Sequence, residues 1–310
     1  MKRIISFFRS RKHIKKLLAL FRQFIKSGSY NVCVIKRGFE FFKLNNRKLF
    51  SFRRTIHVKG FGNSEKFIIK RGNEKYNFID DDIVVSKYYI DVDLYKIESR
   101  IEKYLNKLVL PHNEYLEFSA VDNKIVAPFV KGESYFDEAH NKVLLNKLFN
   151  YSLKSSVCRY GDYLFYVQHG DAYGANIIWC QDGNFLSIDN EGVNEYPAFY
   201  DIFMLVSLIV STPEEFESIC LKNSSYFEHF CKLNNLVFDK HLIDNYLSLF
   251  VYFRMKSYYD SEVKKKHRPF LFLDNPNSAN LFPKAFKMYN ILQAGEDDCT
   301  FKKIYSEVNG

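Results

Sequence analysis

The chain has 310 residues, of which 47% are hydrophobic and 17% aromatic. This composition excludes a disordered protein and predicts a large core built mainly from rings, in one large domain or two lobes. Residues 1–75 carry 21 Lys and Arg against 3 acidic residues, a net charge of +18, whereas the remainder carries 24 against 33, a net charge of −9. This charge asymmetry predicts that the N-terminal quarter binds an anionic partner, such as a phosphorylated ligand, a membrane surface or nucleic acid.

The cysteines are scattered and include no C-x-x-C pair or zinc-like spacing, which favours reduced structural thiols in a cytoplasm; they are Cys33, Cys158, Cys180, Cys220, Cys231 and Cys299. No uninterrupted apolar run approaches the ~18 residues that a membrane span needs. The short run LLALF lies between basic flanks and does not fit a secretory signal. We therefore expect the protein to stay in the cytoplasm.

Residues 1–26 hold nine Lys and Arg and no acidic residue. Within this segment apolar residues recur at helical spacing, namely Ile14, Leu17, Leu18, Phe21, Phe24 and Ile25. The pattern predicts a basic amphipathic helix within an extension over 1–29. Such a helix either lies on an anionic membrane surface, as a peripheral attachment, or docks its apolar stripe on the protein's own body. Nucleic acid is disfavoured because no reading motif accompanies the helix.

The segment 30–131 is predicted to be a small α+β lobe with five or so antiparallel strands and one helix. Strand-like runs occupy 31–44, 48–59, 65–71, 114–121 and 124–132, and helical periodicity covers 91–108 before Pro111. The segment 132–310 is predicted to be a larger, mostly helical lobe. Its helical patterns cover 139–153, 200–210, 213–221 and 245–259.

The stretch HGDAYGANIIWCQDGNFLSIDNEG, residues 169–192, interrupts the helical part with two apolar, β-prone runs around Asp182-Gly183. Asp-Gly in such a context predicts a hairpin. A two-residue loop at these positions would place Asn176 opposite Asp189. Amide and carboxylate oxygens suit Mg²⁺, and Asp171 on the preceding loop is a candidate base for a substrate hydroxyl. Ordinary turn residues are the alternative interpretation of each of these side chains.

The same stretch resembles the catalytic loop and metal strand of the aminoglycoside phosphotransferase and choline kinase family, whose pattern is H-G-D-x-x-x-x-N followed by an I-D-x-E-like segment and a helix with a buried aspartate. The resemblance implies a two-lobed protein-kinase-like fold that uses ATP and Mg²⁺. It implies that Asp171 is the catalytic base, that Asn176 and Asp189 bind Mg²⁺, that Asp201 braces the catalytic loop, and that His169 orients the loop without acting as acid or base.

The resemblance extends more loosely to the nucleotide side. KFIIKR resembles the strand whose lysine binds the α- and β-phosphates, which implies this role for Lys70, with Glu98 on the following helix as its partner and Glu102 as the alternative. PFVKGES resembles the crossover that holds the adenine. The phosphate-covering loop is expected in SFRRT, with Arg53 and Arg54 near the phosphates, although solvated arginines are an equal alternative.

Two features depart from the family pattern. No Gly-rich phosphate loop of either common type is present. Asn190 follows the metal aspartate, where an aromatic residue is common in the family. Neither departure removes a catalytic group.

The leading functional hypothesis, which the resemblance implies, is an ATP- and Mg²⁺-dependent kinase of a small-molecule or glycan hydroxyl. A small acceptor is favoured over a protein because the loop lacks the arginine of the protein-kinase H-R-D motif. A nucleotide-binding pseudokinase and a membrane-associated scaffold are the alternatives. The acceptor stays open: a cationic aminoglycoside would need an acidic pocket, for which GEDD at 295–298 is one candidate, and choline would need an aromatic cage.

Overall fold

A computed structural model describes residues 38–40, 51–53, 69–71, 74–79, 82–88, 94–119, 124–128, 130, 138–173, 176–180, 183–259 and 270–309. The chain divides into two compact units, one comprising 1–95 and 114–130, the other 96–113 and 131–310. The predicted helix within 1–29 lies outside the described residues, as does Arg54. Within the described ranges, no helix combines the length and the apolar character that a bilayer span requires.

The first unit contains a five-stranded antiparallel sheet and a separate strand pair. The pair joins β1 (Gly38–Glu40) to β2 (Ser51–Arg53), and the sheet has the order β3-β4-β5-β7-β6. Its strands are β3 (Ile69–Arg71), β4 (Glu74–Ile79), β5 (Asp82–Tyr88), β6 (Glu117–Ser119) and β7 (Lys124–Pro128). The predicted antiparallel sheet is therefore confirmed, but two of its strands, β4 and the central β5, were missed by the sequence analysis.

Helix α1 (Leu94–Tyr104) begins in the first unit and continues into the second, where a 3-10 turn at Leu105–Lys107 ends it. Its buried residues recur three to four positions apart and lie on one face, at Leu94, Ile97, Ile101 and Tyr104. The helix predicted within 91–108 is thus present, over Leu94–Tyr104.

The second unit has two small antiparallel sheets. Strands β8 (Val157–Tyr160), β9 (Tyr163–Gln168) and β12 (Asn194–Pro197) form a sheet in the order β12-β9-β8, and β10 (Ile177–Trp179) pairs with β11 (Phe185–Ser187) as a hairpin. The β8–β9 pair was not predicted. Five of the six residues of β9 are buried, so this strand runs through the core and delivers the loop that follows it to a fixed position.

The rest of the described second unit is mostly helical, as predicted. Its helices are α2 (Glu138–Lys154), α3 (Tyr200–Ile209), α4 (Pro213–Lys222), α5 (Ser224–Leu233), α6 (Lys240–Tyr259), α7 (Ser278–Leu281), α8 (Pro283–Gln293) and α9 (Cys299–Asn309). The ring of Phe199 lies 4.8 Å from Phe227, 4.7 Å from Phe230 and 5.6 Å from Tyr246. Phe199 directly precedes α3, so these edge-to-face contacts join the start of that helix to α5 and α6 in a core of aromatic side chains.

Candidate active site

The loop after β9 begins at His169 and is held by Asp201 in the first turn of α3. One carboxylate oxygen of Asp201 accepts the backbone N–H of His169 at 2.8 Å, and the other accepts that of Gly170 at 2.9 Å. Gln168 Oε1 accepts the N–H of Asp201 in return, at 3.0 Å. Gly170 has φ +79°, which a glycine adopts without strain. Asp201 therefore braces two consecutive peptide groups of the loop.

Burial is the main influence on the pKa of the Asp201 carboxyl group. The residue is 4% exposed, and burial raises its pKa, while the neighbouring His169 ring and the donated backbone N–H bonds oppose that shift. The position at the start of α3 is also favourable for a carboxylate because the helix N-terminus carries partial positive charge.

His169 is fully buried and joins the loop to the hairpin. Its Nε2 atom lies 3.0 Å from the carbonyl oxygen of Ile188, and its Nδ1 atom accepts the backbone N–H of Asp171 at 3.2 Å. This arrangement orients the loop and uses both ring nitrogens for that purpose.

The hairpin register differs from the prediction by one residue. Ile177 pairs with Ser187 and Trp179 with Phe185, so Asn176 lies opposite Ile188 and not opposite Asp189. The expectation failed because the loop has three residues: Cys180 N donates to Asn184 O, and Gly183 has φ +79°. A glycine in the left-handed region is typical of three-residue hairpin loops, which Asp-Gly fits as well as it fits two-residue loops.

Asn176 contacts the Asp171 side chain directly. Its amide nitrogen donates to Asp171 Oδ2 at 3.0 Å and to the Asp171 carbonyl oxygen at 3.1 Å. The Asn176 side chain is nearly buried, and its backbone carbonyl accepts the N–H of Ile188 at 2.8 Å. Because the amide nitrogen is engaged by Asp171, the amide oxygen is the atom that Asn176 can offer to a cation.

Asp189 follows Ile188 and is exposed. It has φ 66° and ψ 44°, a left-handed conformation that a residue other than glycine rarely adopts, and it precedes a 3-10 turn at Asn190–Gly192. Backbone strain of this kind is concentrated at functional sites. The backbone of Asp189 is held next to Asn176 through the Ile188 hydrogen bond.

Arg254 on α6 was missed by the sequence analysis. Its Nη2 atom donates to Asp171 Oδ1 at 2.9 Å and its Nη1 atom to the carbonyl oxygen of Gly170 at 3.3 Å. The Arg254 side chain is only 8% exposed, and that of Asp171 is 34% exposed. A sequence signal existed, because Arg254 interrupts the apolar run NYLSLFVYFRM, where a charge requires a partner.

The nucleotide-side residues lie on separate elements. Lys70 is the middle residue of β3 and is in register with Lys75, and Arg53 ends β2 in register with Gly38. The segment expected to cover the phosphates thus includes a strand at Ser51–Arg53, whose Phe52 pairs with Phe39. Glu98 lies half-buried on α1. Its pairing with Lys70 stays a prediction.

The donor set of Asn176 and Asp189 fits a hard divalent cation. An amide oxygen and a carboxylate are ligands that Mg²⁺ takes in proteins together with nucleotide phosphates. Asp171 is oriented by Asn176 and Arg254 beside the same segment, which leaves part of its carboxylate accessible to a second molecule.

No protein-family model and no curated protein sequence matches the chain. Several solved structures are similar to it. Choline kinase LicA from Streptococcus pneumoniae has a TM-score of 0.36 and 10% identity, covering 82% of this chain and 92% of that one. ADP-bound aminoglycoside phosphotransferase APH(2'')-Ib has a TM-score of 0.42 and 13% identity, covering 73% and 94%. A putative aminoglycoside phosphotransferase from Ralstonia eutropha has a TM-score of 0.43 and 9% identity, covering 81% and 95%.

These three proteins are of the kinds named by the motif resemblance. At such low identities and TM-scores, a function for this chain has to be inferred from the side chains of its own site.

Proposed function

We propose that this protein is an ATP- and Mg²⁺-dependent phosphotransferase that phosphorylates a hydroxyl group of a small molecule or glycan. Asp171 acts as the general base, Asn176 and Asp189 hold Mg²⁺, and Asp201 and His169 position the loop. Lys70 binds the α- and β-phosphates, Glu98 pairs with Lys70, and Arg53 and Arg54 lie near the phosphates.

One observation carries the proposal: four residues form a closed ring of hydrogen bonds. Asp171 N–H donates to His169, His169 bonds to Ile188 O, Ile188 N–H donates to Asn176, and Asn176 donates back to Asp171. The ring fixes the base, the amide and the residue before Asp189 relative to one another. Preorganised groups of this kind contribute most to phosphoryl transfer, where positioning and charge stabilisation dominate.

The chemical step needs a base and a stabilised leaving group. The acceptor hydroxyl oxygen attacks the γ-phosphorus of ATP, the bond from that phosphorus to the β–γ bridging oxygen breaks, and the hydroxyl proton passes to the Asp171 carboxylate. The products are a phosphate ester and ADP. Mg²⁺, when bound, neutralises charge on the phosphates.

Arg254 supports this role of Asp171 by occupying Oδ1 with a fixed donor. The carboxylate therefore keeps one orientation while Asn176 holds Oδ2. A carboxylate that is already held in its reactive orientation loses little conformational entropy when the acceptor binds.

Two measurements test the proposal. Mg²⁺ and ATP together should raise the melting temperature of the full chain more than ATP with EDTA does, since a ligand that binds only the folded state stabilises it. ADP production should rise with one member of a panel of sugars, amino alcohols and aminoglycosides. Asp171→Asn should then lower turnover by roughly 10²- to 10⁴-fold and leave Mg²⁺-dependent ATP binding in place.

Asp274→Asn is the matched control. Asp274 is likewise an aspartate that accepts a side-chain hydrogen bond, since the Tyr289 hydroxyl donates to its Oδ1 atom at 2.8 Å. Its loss should leave turnover near that of the unaltered protein. Absence of any Mg²⁺-dependent nucleotide binding would refute the proposal, and binding without turnover would indicate the pseudokinase alternative.

A further inference from the structure

We infer that Asn190 is a positioning residue for the proposed metal ligand Asp189. The inference deepens the proposed function and rests on it. Position 190 is where the chain departs from the motif pattern by lacking an aromatic residue, and the structure gives the asparagine side chain two specific contacts.

Asn190 is 1% exposed, and both ends of its amide are used. Its Oδ1 atom accepts the hydroxyl of Ser187 at 2.9 Å, and its Nδ2 atom donates to the carbonyl oxygen of Asn113 at 3.0 Å. Only a side chain with an acceptor and a donor can make both bonds, so an aromatic ring at this position would remove both and would take the acceptor away from the buried Ser187 hydroxyl.

The Ser187 bond closes a tight loop around Asp189. Ser187 lies two positions before Asp189 and Asn190 lies one position after it, so the side-chain bond joins the two flanks of the exposed aspartate. Asp189 has a left-handed backbone conformation with φ 66°. Such a conformation persists only where the surrounding structure imposes it, and the Ser187–Asn190 bond is positioned to do so.

The second bond ties this loop to the chain segment after α1. Ser187 N–H donates to Pro111 O at 2.8 Å, and Asn113 N–H donates to Ser187 O at 2.9 Å, so the segment 111–113 runs beside the end of β11. Asn190 adds its own bond to Asn113. The guanidinium of Arg100 on α1 donates to the carbonyl oxygen of Glu191.

Residues 190 and 191 are thus anchored by two separate groups of the 96–113 segment. A buried hydrogen-bond network of this kind restrains the backbone that it holds. Its removal should loosen Asp189, and with it the metal, while the purine and ribose contacts of the nucleotide stay in place.

The test uses Mn²⁺, which occupies oxygen-ligand magnesium sites and is followed by electron paramagnetic resonance. For Asn190→Ala in the full-length protein, the dissociation constant of Mn²⁺·ADP should rise roughly tenfold or more, as is usual when a residue that orients a metal ligand is lost. ADP binding in EDTA should change less than twofold. Ser187→Ala, which keeps the Asn113 bond, should show the same change to a smaller degree.

Asn194→Ala is the matched control. Asn194 is 5% exposed, donates to Asn309 Oδ1 at 3.0 Å and accepts the N–H of Glu195 at 2.9 Å. Its loss should lower thermal stability and leave the Mn²⁺·ADP affinity unchanged.

Three results would overturn the inference. They are equal Mn²⁺·ADP affinity in Asn190→Ala and the unaltered protein, an equal loss in Asn194→Ala, or, where Asn190→Ala fails to fold, an unaltered affinity in Ser187→Ala. Failure of the proposed function is distinguishable from these results, because the unaltered protein itself would then bind ADP no more tightly with Mn²⁺ than in EDTA. That outcome would remove both the proposed function and this inference.

Discussion

Arg254 and Asp171 are 83 residues apart in sequence, and their side chains form an ion pair at 2.9 Å. The two partners differ in solvent access, since Arg254 is 8% exposed and Asp171 is 34% exposed. Loss of either partner leaves a charge behind, and the cost depends on how well water can reach that charge.

Asp171→Ala should therefore cost more stability than Arg254→Met. The first variant leaves a nearly buried guanidinium without its carboxylate, at about 3 kcal/mol, whereas the second leaves a carboxylate that water reaches, at about 1–2 kcal/mol. Urea unfolding measures both values. The double variant should lose less than the sum of the two, because each single loss already removes the pair. Strict additivity, or a larger loss in Arg254→Met, would contradict this account.

Gly170 and Gly183 form a natural pair for testing the loop backbone, because both have φ +79°. A Cβ atom on Gly183 meets nothing within 4 Å, but one on Gly170 would lie 2.5 Å from the hydroxyl oxygen of Tyr196. Tyr196 cannot easily move, since it donates to Gly192 O at 2.8 Å and stacks on Tyr200 at 4.3 Å.

Gly183→Ala should thus cost about 1–2 kcal/mol from the left-handed backbone alone and should keep turnover. Gly170→Ala should lose more stability and most of its turnover, because relief of the clash displaces Asp171. Thermal melts and ADP production measure the two effects. Equal melting temperatures for the two variants would show that the Tyr196 contact does not constrain the loop.

The sequence predicted local features well and spatial relationships poorly. The Asp182-Gly183 signal correctly located a hairpin, but residue types at a turn do not distinguish a loop of two residues from one of three, so the register was wrong. The β8–β9 hairpin turns at Gly161, which has φ +57°, and the Gly161-Asp162 pair between β-prone runs is a signal for this turn in the sequence. The partner of Arg254 could not be read from the sequence, because α6 and the loop meet only in the folded chain.

Asp201 predicts a pH dependence of stability. Burial raises its pKa in the folded state above the value near 4 that an unfolded aspartate has. Between those two values the folded protein binds the proton more tightly than the unfolded chain, so this site adds stability as the pH falls through the raised pKa. The gain is complete below about pH 4 and is lost as the pH rises.

Asp201→Asn removes this titration. The stability of the unaltered protein minus that of the variant, from urea unfolding between pH 7 and pH 4, should therefore increase with acidification. Asn cannot accept two N–H groups with a symmetric pair of oxygens, so turnover should also fall. A stability difference that is independent of pH would show that burial does not govern this carboxyl group.

Cys158 and Cys299 predict a contrast in thiol reactivity. Cys158 lies partly buried on β8, where burial and then the Glu195 carboxylate raise its pKa to about 11, whereas Cys299 at the start of α9 is exposed. The thiolate is the reactive form, so at pH 8 alkylation of Cys158 by iodoacetamide should be roughly 100-fold slower than that of an ordinary exposed thiol. Mass spectrometry of the alkylated peptides gives both rates.

Glu195→Gln tests how much the Glu195 charge, as opposed to limited reagent access, slows the alkylation of Cys158. The substitution removes the negative charge that raises the Cys158 pKa but keeps a side chain of the same size, so alkylation of Cys158 should become faster while that of Cys299 stays the same. Between pH 7 and pH 9.5 the Cys158 rate of the unaltered protein should rise about tenfold per pH unit without levelling off. A plateau near pH 8.5 would mean that the thiol titrates as it does in water, and that the Glu195 carboxylate and the surrounding packing do not control it.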